Sequence, residues 1–328
     1  MNKGQWTINI AEEDWDLLII LDACRYDYFK KYYAFFFEGI LTRGYSAGSC
    51  TYEWLLNSFR DKHFDIVYVS ANPYINSITK INSFRAIDHF YKIIDAWFRY
   101  WDNYLGTVLP QHVNILAIKA LRRYINHGKR FIVHYLQPHA PYVGDKVKPI
   151  KGYPKPNVRK GKILTGIHSA NAGSSIFYRI YEEIESGLEL CIERLFDRGH
   201  GFTWKLREFL HLPPASPMDM YRREYGINKL RKAYERNLLF VLKSVTFLVY
   251  EAFNFGLKKI IITSDHGEFL GEGFCFEHWP GSKRDILRVV PWFKVKKVLR
   301  VFESPIYSIS WRLSILKRRL RNWLNYHC

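Results

Sequence analysis

The sequence lacks the features that are typical of disulfide-rich, secreted and membrane-spanning proteins. Its five cysteines form no C-x-x-C pair and make an odd set, which argues against a disulfide scaffold and favours a reducing compartment. The first residues are polar, without the apolar core of a secretory signal. No stretch has the ~18 uninterrupted apolar residues of a membrane-spanning helix. We therefore expect a cytoplasmic protein, either soluble or bound peripherally to a membrane.

Negative charge is also scarce. The 328 residues contain 49 Lys and Arg against 31 Asp and Glu, a net charge of +18. Such a balance suits a polyanionic partner, which includes an anionic membrane surface, a substrate bearing phosphate or sulfate, and nucleic acid. A basic surface kept for solubility or for growth at high temperature explains the charge equally well. Hydrophobic residues make up 48%, so the chain can bury a full core.

Hydrophobic patterning predicts strands alternating with helices. We expect strands at 16–21, 65–70, 130–135 and 258–263, and helices at 52–60, 84–101, 112–127, 174–196, 203–211 and 217–255. Residues 143–170 are rich in Lys, Gly and Pro and are expected to form a long loop over the site. This alternation is typical of an α/β fold with a mostly parallel central sheet and helices on both faces.

Two of the predicted strands end in residues that can bind metal. The run 17–21 leads to Asp22, and the run 260–263 leads to Asp265 and His266. Strands that lie side by side in a parallel sheet would bring these three side chains together at its carboxyl edge. Carboxylate and imidazole ligands suit Zn²⁺, Mn²⁺ or Mg²⁺. Singly, Asp22 could cap a helix and His266 could be a core histidine, but their joint appearance favours a divalent metal site.

Four segments, in this order and spacing, resemble the alkaline phosphatase and sulfatase superfamily, in particular its archaeal sulfatase-like branch. They are LDACRYD at 21–27, SAGSCTYEWL at 46–55, HYLQPHAPY at 134–142 and SDHGE at 264–268. The resemblance implies a metal-dependent hydrolase of sulfate or phosphate esters, with a catalytic domain at 1–295. It also implies that Asp22, Asp265 and His266 bind one metal, which Thr51 contacts as well.

The nucleophile is expected in Ser49-Cys50-Thr51, at the start of a predicted helix. A helix amino terminus has free N–H groups and a positive dipole end, which favour a dianionic substrate and a deprotonated oxygen. Thr51 is the first choice because the resemblance aligns it with the family's threonine; Ser49 is second and Cys50 third. Helix capping by Ser49 or Thr51 is the alternative. The C-x-P-x-R pattern of sulfatases that form formylglycine is absent.

Three further residues are candidates for contacts to the substrate. His139 lies in the segment that resembles the family's substrate-contacting loop, and it is expected to contact nonbridging oxygens or to protonate the leaving group. Arg25 could clamp the oxyanion or form a surface salt bridge. His278 matches a family histidine that binds substrate or a second metal. The segment 270–273 lacks a histidine that relatives often have there, so a second metal site is left open, and His134 is expected to be structural.

The segment 296–328 is interpreted as a basic amphipathic tail. Its helical pattern fits either docking on the domain or binding to an anionic membrane. Accordingly, the expected substrate is a small-molecule, glycan or lipid ester of sulfate or phosphate. Two alternatives remain beside the hydrolase: a phosphoglycerol or phosphoethanolamine transferase at a membrane surface, and a noncatalytic polyanion-binding protein with a degenerate site.

Overall fold

A central seven-stranded sheet organises the computed structural model, which describes residues 6–145, 152–159, 162–164, 176–197 and 199–302. The seven strands are β1 (Leu17–Leu21), β2 (Phe37–Tyr45), β3 (His63–Ser70), β4 (Phe90–Asp95), β7 (Arg130–Tyr135), β10 (Ile260–Thr263) and β13 (Val289–Val298). They follow the order β2-β13-β10-β1-β7-β3-β4. The five strands β10, β1, β7, β3 and β4 are parallel, and β13 is antiparallel to both β10 and β2. This arrangement is the predicted α/β class.

The helices lie around this sheet, and short strand pairs form separate two-stranded sheets. The described helices are α1 (Tyr26–Tyr32), α2 (Thr51–Ser58), α3 (Ala96–Tyr100), α4 (Pro110–Tyr124), α5 (Ile176–Phe196), α6 (Gly201–Phe209), α7 (Pro217–Tyr225), α8 (Ile227–Asn254) and α9 (Asp285–Arg288). The short pairs are β5 (Trp101–Asp102) with β6 (Thr107–Val108), β8 (Asn157–Arg159) with β9 (Lys162–Leu164), and β11 (Phe269–Leu270) with β12 (Phe276–Glu277).

Consecutive side chains of a strand point to opposite faces of the sheet, and the central strands are buried on both faces because a hydrophobic core covers each of them. Leu17, Ile19 and Leu21 of β1 join the core that includes α4 and α8. Leu18 and Ile20 join the core on the opposite face, which includes Trp54 and Leu55 of α2. This explains why β1 is a continuous apolar run rather than an alternating one.

Two helix predictions were wrong in extent. The expected single helix at 217–255 is interrupted at Gly226, whose φ of 79° separates α7 from α8. The expected helix at 84–101 is replaced over most of its length by β4, and only α3 at its end is α-helical. Since β4 pairs in parallel with β3 along Val67–Ser70, backbone pairing at the sheet edge outweighs a helical spacing of apolar residues in this segment.

The strands β2 and β13 were missing from the sequence-based assignment. They form the longest pairing in the sheet, from Val289 opposite Tyr45 to Val298 opposite Phe37. Strand β13 continues to Val298, whereas the residues of the tail from 303 onward lie outside the described part of the chain, so the boundary at 295 and the tail helix stay predictions. Within the described residues, no helix has the length and apolar character needed to cross a membrane.

Candidate active site

The candidate site lies at the carboxyl edge of four adjacent strands, β10, β1, β7 and β3. Ile20 of β1 is paired with Thr263 of β10, so Asp22 and Asp265 each lie two residues beyond a paired position and reach the same level. Asn72 follows β3 in the same way. The carboxyl edge of a parallel sheet is the usual place for ligand binding in open α/β folds, and here it brings together residues from distant parts of the sequence.

Asp22, Asp265, His266 and Thr51 form one buried cluster. The Nε2 atom of His266 lies 3.6 Å from Oδ1 of Asp22 and 3.4 Å from Oδ2 of Asp265. The hydroxyl of Thr51 donates to Oδ2 of Asp265 at 2.7 Å and lies 3.3 Å from Nε2 of His266. Asn72 donates to Oδ2 of Asp22 at 2.8 Å. The structure therefore brings all four predicted metal-contacting residues to one point.

The backbone orients these side chains for metal binding. His266 donates from Nδ1 to the carbonyl oxygen of Gly267 at 2.8 Å, which leaves Nε2 as the lone-pair atom facing the cluster. Oδ1 of Asp265 accepts hydrogen bonds from the backbone N–H groups of Ala23 at 3.1 Å and His266 at 3.0 Å. Its other oxygen, Oδ2, faces Thr51 and His266. In both His266 and Asp265, the polar atom that does not face the cluster is hydrogen-bonded to the backbone, which fixes the direction of the atom that does.

The residues of this cluster fit a divalent cation. Asp22, Asp265 and His266 have their ligand atoms within 4.8 Å of one another, and Oδ1 of Asp22 is buried without a hydrogen-bond partner. Burial and the neighbouring Asp265 carboxylate hold the pKa of Asp22 well above its usual range. Buried carboxylates need a positive partner, and no Lys or Arg lies among the described residues that line the adjoining cavity.

Among the nucleophile candidates, the structure places Thr51 in the cluster and the other two elsewhere. Thr51 is the first residue of α2, and Cys50 precedes it as the cap residue without a capping side-chain bond. The hydroxyl of Ser49 lies within hydrogen-bond distance of two acceptors, Glu53 at 2.7 Å and the carbonyl of Trp279 at 2.8 Å. Burial raises the pKa of the Cys50 thiol to about 11. Thr51 is therefore the candidate nucleophile that the geometry favours.

A second group of metal-binding side chains adjoins the first. His139, Glu268 and His278 have potential ligand atoms within 4.8 Å of one another. Nδ1 of His278 lies 2.9 Å from Oε1 of Glu268, and the rings of His266 and His278 are 4.1 Å apart between centroids. Oε2 of Glu268 is buried without a hydrogen-bond partner. The sequence left a second metal site open, and His139, Glu268 and His278 are the candidate ligands for it.

Electrostatics of the second group also favour a cation. Burial raises the pKa of Glu268 to about 7, and burial lowers the pKa of His278 to about 3. His278 is therefore a neutral imidazole at neutral pH, as a metal ligand must be. Glu268 belongs to the SDHGE segment at 264–268, but the sequence alone assigns it no role. Its position two residues after His266 was the available signal.

A cavity of about 200 Å³ opens above both groups. Asp22, Thr51, Asn72, His139 and His278 contribute to its lining. The remaining wall is largely apolar and aromatic: Pro73, Tyr74, Trp101, Leu136, Ala140, Pro141, Tyr153 and Pro156, together with Gly106, Thr107 and Glu277. A few polar groups converging in a mostly apolar cavity are typical of a small-molecule site.

Of the two histidines in the segment 134–142, one lines the cavity and the other is buried away from it. His139 lies in the cavity wall, and its Nδ1 donates to the carbonyl of Ala140 at 2.7 Å. His134 is fully buried below the site, 3.0 Å from the Tyr68 hydroxyl, which agrees with a structural role.

Arg25 does not reach the cavity. Its guanidinium pairs with Asp27 at 2.7 Å and with Glu272 at 2.6 Å. Arg25 thus forms the ion pairs of the salt-bridge alternative, although it is buried rather than at the surface, and its role in clamping an oxyanion stays a prediction.

Comparisons with known proteins find likenesses only among solved structures. No family model and no curated protein matches the chain. The phosphonate monoester hydrolase SpPMH from Silicibacter pomeroyi is 16% identical, with 89% of this chain and 70% of that chain covered and a TM-score of 0.43. The lipoteichoic acid synthase LtaP from Listeria monocytogenes is 8% identical over 84% of this chain and 64% of that chain, with a TM-score of 0.40.

A third similar structure is the integral membrane lipooligosaccharide phosphoethanolamine transferase EptA from Neisseria meningitidis. It is 12% identical, with 89% of this chain covered and a TM-score of 0.41, and the chain spans about half of its length, 52%. These neighbours are members of the alkaline phosphatase and sulfatase superfamily.

Proposed function

We propose that this chain is a metal-dependent hydrolase of phosphate or sulfate esters that uses Thr51 as its nucleophile. The observation that carries the proposal is the position of the Thr51 hydroxyl, which lies at the cavity floor within hydrogen-bond distance of Asp265 and 3.3 Å from His266. A hydroxyl at a helix amino terminus, beside buried acids that suit a cation, is the arrangement needed to attack an anionic ester.

In the first half of the reaction, the Thr51 oxygen forms a bond to the phosphorus or sulfur atom while the bond to the leaving oxygen breaks. The Thr51 hydroxyl loses its proton to solvent in the cavity before the attack, since Oδ2 of Asp265, to which it donates at 2.7 Å, is itself a proposed ligand atom. A divalent cation held by Asp22, Asp265 and His266 would lower the pKa of the hydroxyl and offset the charge of the transferring group. The product is a covalent ester of Thr51 and a free alcohol.

His139 and His278 are the candidates for handling the leaving oxygen and the nonbridging oxygens. The Nδ1–H of His139 is occupied by the Ala140 carbonyl, so Nε2 is the atom available to substrate. Protonated at Nε2, His139 would donate to the departing oxygen; neutral, it would join Glu268 and His278 around a second cation. Both roles place His139 in contact with the reacting group.

The second half of the reaction decides between hydrolase and transferase. Water attacking the Thr51 ester releases free phosphate or sulfate, whereas an alcohol would accept the group. A phosphoglycerol or phosphoethanolamine transferase working at an anionic membrane through the basic tail is the alternative proposal. The archaeal sulfatase-like branch and a cytoplasmic or peripheral location are also proposals, and both sulfate and phosphate esters are candidate substrates.

A panel of phosphate monoesters, phosphate diesters and sulfate esters, each assayed with Zn²⁺, Mn²⁺ and Mg²⁺, tests the proposal. We expect turnover of at least one ester class that chelation abolishes and that Asp265→Asn lowers strongly. The same metals should raise the thermal midpoint of the wild type by mass action and have little effect on Asp265→Asn. Absence of both turnover and a metal-dependent shift would favour the noncatalytic polyanion-binding alternative.

A further inference from the structure

One carboxyl group in the cavity wall belongs to neither candidate metal group. Glu277 contributes to the cavity lining beside Tyr153 and His278. Its Oε1 atom is buried and has no hydrogen-bond partner. A buried acceptor without a partner is costly to maintain. In a cavity that we propose for an anionic ester, an extra carboxylate would also repel the substrate unless it has a positive partner.

The backbone at Glu277 is arranged so that this side chain reaches the cavity. Glu277 has a φ of 60°, in the left-handed region that a side chain other than Gly, Asn or Asp seldom adopts. In a regular strand, consecutive side chains point to opposite faces. Glu277 ends the short strand β12, and both it and the next residue, His278, line the same cavity. The unusual φ is therefore associated with placing two adjacent polar side chains on one wall.

His200, a cationic side chain within 4 Å of Glu277, is already paired with another acid. Nδ1 of His200 lies 3.0 Å from Oε1 of Glu189, whereas Nε2 of His200 lies 3.8 Å from Oε2 of Glu277, beyond hydrogen-bond distance. His200 has one positive charge at most, and Glu189 offsets it. His200 therefore makes no hydrogen bond to Glu277, and no Lys or Arg among the described residues lines the cavity beside it.

The surroundings of Glu277 suit an organic cation rather than a bare metal ion. The same cavity is lined by the aromatic rings of Tyr74, Trp101 and Tyr153. A carboxylate combined with aromatic faces is the usual environment for an ammonium group, which gains from both Coulomb attraction and cation–π contact. The acids and histidines on the Thr51 side of the cavity would then receive the anionic end of the same molecule.

We propose that the cavity takes an ester whose organic group carries an ammonium group, and that Glu277 binds this group. The anionic end of the ligand rests on the proposed function, whereas the ammonium subsite rests on Glu277 and the aromatic wall. A soluble amino alcohol ester and a lipid headgroup share this chemistry, so the test includes both sources.

A binding experiment that requires no catalysis tests the subsite. The probes are the nonhydrolysable phosphonate analogue of choline phosphate and its neutral isostere, in which a carbon atom replaces the nitrogen. Calorimetry with the metal-loaded wild-type protein should give about 10-fold or tighter binding of the cationic probe, as expected for one buried contact between charged groups. Equal affinity for the two probes would overturn the proposal, whatever the outcome for variants.

The variant Glu277→Gln keeps the shape of the side chain and removes its charge. We expect it to bring the two affinities together, mainly by weakening the cationic probe. The matched control is Glu208→Gln, which changes a surface acid outside the cavity and should keep the wild-type ratio. A ratio that survives in Glu277→Gln would assign the preference to other groups and overturn the role of Glu277.

Vesicles separate the two possible sources of the ammonium group. Preferential cleavage of phosphatidylethanolamine over phosphatidylglycerol, lost in Glu277→Gln, would support a lipid headgroup; the same preference confined to free choline phosphate over its neutral isostere would support a soluble ester. If no ester is cleaved while the cationic phosphonate still binds more tightly, the proposed function fails and the ammonium subsite stands. If esters are cleaved without preference and the phosphonates bind equally, the subsite fails and the proposed function stands.

Discussion

Replacing Thr51 by Ala removes the proposed reacting oxygen and leaves the other side chains of the site in place. The change removes Oγ1, which donates to Asp265 at 2.7 Å and accepts from Asn72 at 3.3 Å. Asp265 keeps its two bonds from backbone N–H groups, and Asp22 keeps its bond from Asn72. Loss of two side-chain hydrogen bonds should cost about 1–2 kcal/mol of unfolding free energy, so the fold and the three ligands Asp22, Asp265 and His266 should persist.

The catalytic loss should be far larger than the loss of stability. Removing the nucleophile of an enzyme that works through a covalent intermediate typically lowers kcat by roughly 10³-fold or more. The assay is turnover of an aryl phosphate or sulfate by metal-loaded protein, with metal content and thermal midpoint measured on the same sample. We expect Thr51→Ala to retain bound metal and fold but to lose turnover.

Ser49→Ala is the matched control, since Ser49 lies two residues earlier and was the second candidate. Its hydroxyl bonds Glu53, the Trp279 carbonyl and the N–H of Ser282, so its removal should cost about 2 kcal/mol of stability and keep most of the turnover. The reasoning would be refuted if Thr51→Ala kept wild-type turnover, or if Ser49→Ala were the variant that abolished it in a folded, metal-loaded protein.

Three further predictions concern the second metal, pH and packing. Glu268→Gln should lower the bound metal per chain from two ions to one by elemental analysis; unchanged stoichiometry would exclude the second site. Burial lowers the pKa of His200, but Glu189 outweighs it and raises that pKa to about 9, so the stabilisation, roughly 3 kcal/mol, should be full below about pH 6.5 and lost as pH rises through about 9. The unfolding free energies of wild type and His200→Gln should therefore converge above pH 9, and a constant difference would contradict this. Gly267→Ala should destabilise the fold by about 2–3 kcal/mol, because the added Cβ would lie 1.9 Å from the carbonyl oxygen of Ile286; an unchanged thermal midpoint would refute the close approach.

The central part of the fold and of the site was predictable because it depends on strong local signals. The short apolar runs before Asp22 and Asp265 are typical of buried strands, and parallel strands share a carboxyl edge. That reasoning brings Asp22, Asp265 and His266 together without any knowledge of long-range contacts. Thr51 required the resemblance as well, since Ser49 has the same chemistry and lies only two residues away.

The remaining features depend on contacts that the local sequence does not encode. Strand β4 was predicted as helix because its apolar spacing suits either structure, and only pairing with β3 decides between them. Glu268 could not be distinguished from an exposed acid until the fold placed it against His278. The contacts of Arg25 depend on Glu272, which lies far from it in the sequence, so its two predicted roles could not be separated.

Crystals of the wild-type protein loaded with Mn²⁺ or Zn²⁺, examined by anomalous diffraction, test the central claim most directly. The account predicts a peak coordinated by Asp22, Asp265, His266 and the Thr51 hydroxyl, at about 2.0–2.2 Å from its ligand atoms. An anomalous peak elsewhere with this position empty, or a peak here with Thr51 turned away from the ion, would contradict the account.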